Sequence, residues 1–102
     1  MRQAEQELDA TFTLMSAAGL LRVQTALGEW EPATQTWSRV KRLIGLTKTY
    51  QVDLALTLEA SGRTARSSDR LQLGRSILDG ARAQWIAIGH PDRAARVSAD
   101  EG

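Results

Sequence analysis

Residues 8–30 read LDATFTLMSAAGLLRVQTALGEW, and the spacing of their apolar positions decides the fold class. Leu8, Phe12, Met15, Gly19, Val23, Ala26 and Trp30 recur at steps of three and four, along one stripe of a helix with 3.6 residues per turn. This stripe is expected to face the core. A second set, Ala10, Leu14, Ala17 and Leu21, recurs at four, three and four on nearly the opposite side. A helix apolar on two faces must bury both. Either it lies between the other segments of its own chain, or the second seam joins copies of the chain. Ala10, Leu14, Ala17 and Leu21 are therefore candidate residues of an oligomer interface.

Punctuation follows on the C-terminal side. Gly28 followed by Pro32 reads as a helix stop and restart, since glycine takes the left-handed position and proline suits a first helical turn. The stretch from Ser61 and Gly62 to Ser67 and Ser68 is a second break, and Gly89 with Pro91 a third. Three helical segments result, at residues 3–28, 32–60 and 68–89. The expected fold is all-α: three helices, of which the first two form a long antiparallel hairpin and the third packs against it. Residues 1–90 form a single helical domain in this reading. Residues 91–102 form a polar tail without fixed structure, because Val97 is its one large apolar residue.

In the second segment, Trp37, Val40, Leu43, Ile44, Tyr50, Leu54 and Leu58 share an arc of about 140° at 100° per residue. Val52 and Leu56 lie off that arc, and their alternation with Asp53 and Ala55 is a local argument for strand. In the third, Leu71, Gly74, Leu78, Ala81, Trp85 and Ile88 step three, four, three, four, three. Gly19, Gly45 and Gly74 sit inside these patterns, although each costs a helix about 1 kcal/mol relative to alanine. Close crossing of helix backbones is the expected reason, with a kink at Gly45 as the competitor.

The chain has 102 residues, 42% of them hydrophobic, which fits one domain with a small core. Net charge is +1 but unevenly spread. Residues 1–31 carry −3, residues 32–96 carry +6 and the last six carry −2. That polarity suits an anionic partner or a head-to-tail self-contact, or is simply a solvated surface. Cysteine is absent, which excludes disulfides, thiolate metal sites and a cysteine nucleophile. The most apolar run, residues 14–21, is too short for a bilayer, so no membrane association is expected. The start lacks the basic and apolar pattern of a secretory signal, and a cytoplasmic location is expected.

No reaction is announced by motif. His90, the only histidine, stands beside Gly89 and Pro91 without a carboxylate cluster. Glu5 and Asp9, and Arg75 and Asp79, stand one helical turn apart as ordinary surface pairs do. Gly62 to Thr64 lacks the lysine and second glycine of a phosphate loop, and no serine has a nucleophile-elbow context. Trp30, Trp37 and Trp85 lie at core spacing. Neither a metal nor a cofactor is expected, and enzyme activity is disfavoured.

The clearest functional signal is basic. Arg63, Arg66 and Arg70, with Thr64, Ser67 and Ser68 and the amides of a helix start, suit phosphate contacts. Arg75 and Arg82, seven apart, extend that surface, and Arg93 and Arg96 add charge in the tail. A helix-turn-helix across residues 54–77 is not supported, because the break is longer and more polar than such turns. The expected function is that of a non-catalytic, oligomerising helical adaptor that contacts DNA or a DNA-bound partner. Small terminase subunits of tailed phages, which form rings and deliver DNA to a motor, compare in architecture and job, although no motif residue links the chain to them. The alternative is a regulatory or inhibitory module that binds one protein without nucleic acid.

Overall fold

A computed structural model describes the backbone of residues 2–101 and the side chains of residues 9–97. Five helices follow one another: α1 Arg2–Leu27, α2 Trp30–Thr47, α3 Val52–Ser67, α4 Leu71–Ala87 and α5 Pro91–Glu101. No strand occurs among the described residues. The fold is all-helical, but the expectation of three helices is wrong on two counts. The second segment is two helices, and the stretch from Pro91 is helical.

The break inside residues 32–60 carries neither glycine nor proline. Lys48 takes the left-handed conformation (φ 52°) and donates its N–H to Ile44 O at 2.8 Å, after which Gln51 is extended. A left-handed lysine is unfavourable by itself, and the compensation comes from α4. The buried side chain of Gln84 accepts from the Gln51 N–H at 2.9 Å and donates to Thr49 O at 3.0 Å. The break is thus held by a residue 33 positions away. Gly45 stays inside α2, so no break falls there, and Val52 and Leu56 are exposed helical residues of α3 rather than strand.

The remaining three turns share one design. Gly28, Asp69 and Gly89 are left-handed, and the next residue in each case donates back across the turn: Glu29 to Gln24 O, Arg70 to Ala65 O, His90 to Trp85 O. The break expected at residues 61–68 shrinks to Ser68–Arg70, because Ser61 and Gly62 are buried inside α3. Gly62 is there for packing. A Cβ on it would lie 2.6 Å from Leu78 Cγ, and one on Gly74 would lie 2.9 Å from the Arg66 backbone N. The α3 and α4 backbones therefore cross at these two glycines.

The molecule is flat, with principal extents of 45 × 31 × 16 Å. Helix α1 packs on α2 and α3, α3 on α4, and α4 on α5. The larger core cluster joins Leu14, Ala17, Ala18 and Leu21 of α1 to Ala33, Trp37 and Val40 of α2, Leu54 and Leu58 of α3, and Ile77 and Ala81 of α4. The smaller one joins Ala55, Leu78 and Trp85 to Ala94 and Val97 of α5.

Helix α1 is turned over relative to the sequence expectation. Leu14, Ala17 and Leu21, expected as an interface between copies, are buried inside the chain, and Ala10 is half-buried. The supposed core stripe faces outward: Phe12, Gly19, Val23 and Ala26 are exposed, and only Met15 and Trp30 are partly covered. The side chain of Leu8 lies outside the described residues. Both stripes have helical period, so period could not choose between them. Alanine at 17 and 18 lets two neighbouring helices approach α1 on the buried face.

The tail expectation fails for a related reason. Pro91 occupies the first position of α5 with Asp92 in its first turn, a favourable start. Ala94 and Val97, three apart, are buried against α4, and the Arg93 guanidinium lies 4.2 Å from the Trp85 ring centroid. An alanine and a valine at helical spacing suffice where a tryptophan supplies the platform.

Two outcomes follow for urea denaturation. Gly74→Ala should cost about 1–3 kcal/mol by forcing the α3 and α4 backbones apart. Gly45→Ala, where a Cβ meets nothing within 4 Å, should stabilise by about 0.5–1 kcal/mol; equal effects would refute the glycine crossing. Deleting residues 92–102 uncovers Trp85 and removes Val97, and should cost at least about 2 kcal/mol; an unchanged midpoint would show that α5 does not dock.

Candidate nucleic-acid interface

Of the expected arginines, Arg66, Arg70 and Arg75 border adjoining cavities at the end of α3 and the start of α4, whereas Arg63 and Arg82 border neither of these cavities. On α3, Arg63 pairs with Glu59 at 3.4 Å, one helical turn back. Glu59 is buried and its other oxygen accepts from Trp85 Nε1. Arg63 therefore belongs to a lock between α3 and α4, in which an otherwise costly buried carboxylate gains an indole donor and a cation. Arg82 pairs with Asp79 on α4. These two arginines are committed to carboxylates of their own chain.

Arg66, Arg70 and Arg75 gather around the first turn of α4. Arg66 and Arg75 line an open cavity of about 400 Å³ with Leu71 and Gln72. Leu71 and Gln72 also border a second cavity of about 520 Å³, shared with Arg70, Asp69, Trp30 and Glu31. Arg70 precedes α4 and supplies no side-chain cap, and its guanidinium stands 5.5 Å from the Trp30 ring centroid. Stacking leaves the edge of the guanidinium able to donate hydrogen bonds while its position is held. Uncapped N–H groups at the start of α4 add partial positive charge at the same place. Asp69 and Glu31 lower the local charge on the Arg70 side. The corner is thus suited to an anion with several oxygens at the Arg66 and Arg75 side, and to a looser contact beside Trp30.

Other sequence candidates find structural employment. The His90 ring meets Trp85 edge-on at 5.9 Å, and the His90 carbonyl accepts from the Arg93 and Ala94 amides at the start of α5. Asp79 pairs with Arg82 rather than with Arg75. The Glu5 side chain lies outside the described residues, so its pairing with Asp9 does too. No group of three metal-ligating side chains occurs among the described residues, and none of their helices is long and apolar enough to cross a membrane.

Two features escaped the sequence reading. Between α2 and α4 lies a cavity of about 360 Å³ bordered by Trp37, Ile44, Tyr50, Lys41 and Asp79, across which Trp37 Nε1 donates to Ser76 Oγ at 2.8 Å. Nothing in the separate segments signals it, because it arises from the crossing of two helices. The other is the outward apolar face of α1, whose residues were visible but were assigned to the core. No family model, no curated protein and no solved structure matches the chain.

The lock and the exposed pair should separate in a stability measurement. Trp85→Phe keeps the ring packing but removes the donor to Glu59, and should cost about 1–3 kcal/mol. Arg82→Ala removes the exposed pair with Asp79 and should change stability by no more than about 1 kcal/mol. The reverse order would show that Glu59 is not held by the indole.

Proposed function

We propose that the protein is a non-catalytic, oligomerising helical adaptor whose α3–α4 corner contacts the phosphates of DNA or of a DNA-bound partner. The observation that carries this reading is the convergence of Arg66, Arg70 and Arg75 on the uncapped start of α4. The excess of +6 over residues 32–96 supports it, since long-range attraction precedes local contact. Such contacts read the backbone and not the bases, so binding is expected to be tolerant of sequence. That is the behaviour suited to holding DNA for a larger machine, such as a packaging motor.

A second reading, a regulatory module that binds a protein without nucleic acid, is favoured by one feature, the exposed apolar face of α1. Fluorescence anisotropy with two unrelated labelled duplexes over a salt series separates the two. Under the DNA reading both duplexes bind alike, and replacing Arg66, Arg70 and Arg75 together by alanine weakens both equally. The salt slope then falls by about 0.9 for each phosphate that is no longer neutralised. Absence of binding by the unaltered protein at low salt would reject the DNA reading in favour of the protein-binding one. An unchanged slope in the triple variant would place the DNA contact elsewhere.

A further inference from the structure

We infer that two copies of this chain pair through the outward face of α1, antiparallel, about a two-fold axis that passes between Gly19 and Leu20. Phe12 is 74% exposed, Leu20 47%, Val23 53% and Leu27 68%, and they follow one another at helical spacing. From Ala10 to Gly28 the only charged residue is Arg22, whose guanidinium is turned toward α3, where it donates to Thr64 Oγ1 at 3.3 Å. The outward face therefore runs without charge for roughly 27 Å, at 1.5 Å per residue. Continuous exposed apolar surface of this kind marks a contact site rather than a solvated helix face.

The pattern of sizes along the stripe identifies the occupant. Phe12 and Leu27, Ser16 and Val23, and Gly19 and Leu20 lie at equal distances on either side of the helix midpoint. A two-fold axis there sets Val23 and Leu20 of one copy over the small Ser16 and Gly19 of the other, as a contact between identical patches requires. Beside α1, a hollow of about 240 Å³ is bordered by Phe12, Ser16, Leu20 and Arg39 of α2. Ser16, the position that the axis places opposite the second copy's valine, is among its lining residues, so that side chain enters it as a knob enters a hole. Gly19 is compatible with the same arrangement: a Cβ there would meet nothing within 4 Å of its own chain, so the space beside it is open.

Charge selects the direction. Sequence positions 5, 7 and 9 are acidic, and a parallel pair would bring both sets together, whereas an antiparallel pair holds them at opposite ends. A single helix pair buries less than the roughly 800 Å² per partner of a standard interface, so association is expected at micromolar concentration. The pairing rests on the adaptor reading for its purpose, since it would let two copies present two α3–α4 corners. Its test contains no DNA, so its failure removes the oligomerising part of that reading and leaves the DNA contact to be judged by its own experiment.

Sedimentation equilibrium from about 1 to 200 µM should show a monomer passing to a dimer and no further. Gly19→Leu is the decisive variant. It adds apolar surface, so an unspecific sticky face would associate more strongly. In the antiparallel pair the new side chain occupies the place of the second copy's leucine at position 20, and the dissociation constant should rise at least tenfold with unchanged helical circular dichroism. Because the chain has no cysteine, a short bis-maleimide gives a second readout. A mixture of Phe12→Cys and Leu27→Cys proteins should cross-link, and Phe12→Cys alone should not. A monomer at every concentration, tighter association of Gly19→Leu, or cross-linking of Phe12→Cys with itself would each overturn the pairing; the first would leave the face to a different protein. Should Gly19→Leu fail to fold, the cross-linking pair still decides.

Discussion

The burial of one face of α1 against both α2 and α3 is the contact on which the rest depends. Leu14 and Leu21 are fully buried there, and Ala17 and Ala18 between them keep the helices close. Each leucine contributes about 1.5–3 kcal/mol by leaving water, a large share of the stability of a domain this small. Helix α2 touches α4 only lightly, so α1 is what fastens it to the rest of the chain. Turning α1 over would expose that joint and leave α2 without a floor.

From this joint the order passes along the flat molecule by side-chain locks. Gln84 on α4 closes the turn between α2 and α3, and Glu59 on α3 receives the indole of Trp85 on α4. Gly62 and Gly74 permit the close approach that makes both locks reachable. Trp85 in turn is the platform for Ala94 and Val97, which pack α5 against α4. The arginine corner inherits its geometry from the same sequence of dependence. Arg66 lies in the last turn of α3, Arg70 immediately precedes α4 and Arg75 is the fifth residue of α4, and the short left-handed turn at Asp69 fixes the distance between them.

The sequence made the all-helical class legible, and with it the stops at Gly28 and Gly89, because periodicity and left-handed glycines are local signals. It hid the break at Lys48, since the residue that holds it open is Gln84, far along the chain. It also hid which face of α1 is inside, because both stripes obey the same period and only the packing of α2 and α3 against Leu14, Ala17, Ala18 and Leu21 decides. The polar look of residues 91–102 masked a helix that Ala94 and Val97 anchor to a tryptophan on another element. At the site, clustering of arginines was legible and their engagement was not. The pairing of Arg63 with Glu59 was foreshadowed by a spacing of four, yet its meaning depends on Trp85, which no local pattern connects to them.

These observations join in a picture of a thin helical plate with a basic corner at α3 and α4 and an exposed apolar ridge along α1. The orientation of α1 is the claim that supports both, and the stability of single alanine variants tests it most directly. Urea unfolding is measured at concentrations low enough to keep chains apart. Leu14→Ala and Leu21→Ala should each cost about 2–5 kcal/mol, while Phe12→Ala and Val23→Ala should stay within about 0.5 kcal/mol of the unaltered protein. A large loss for Phe12 and Val23 with little change for Leu14 and Leu21 would show that α1 lies the other way round and contradict the account.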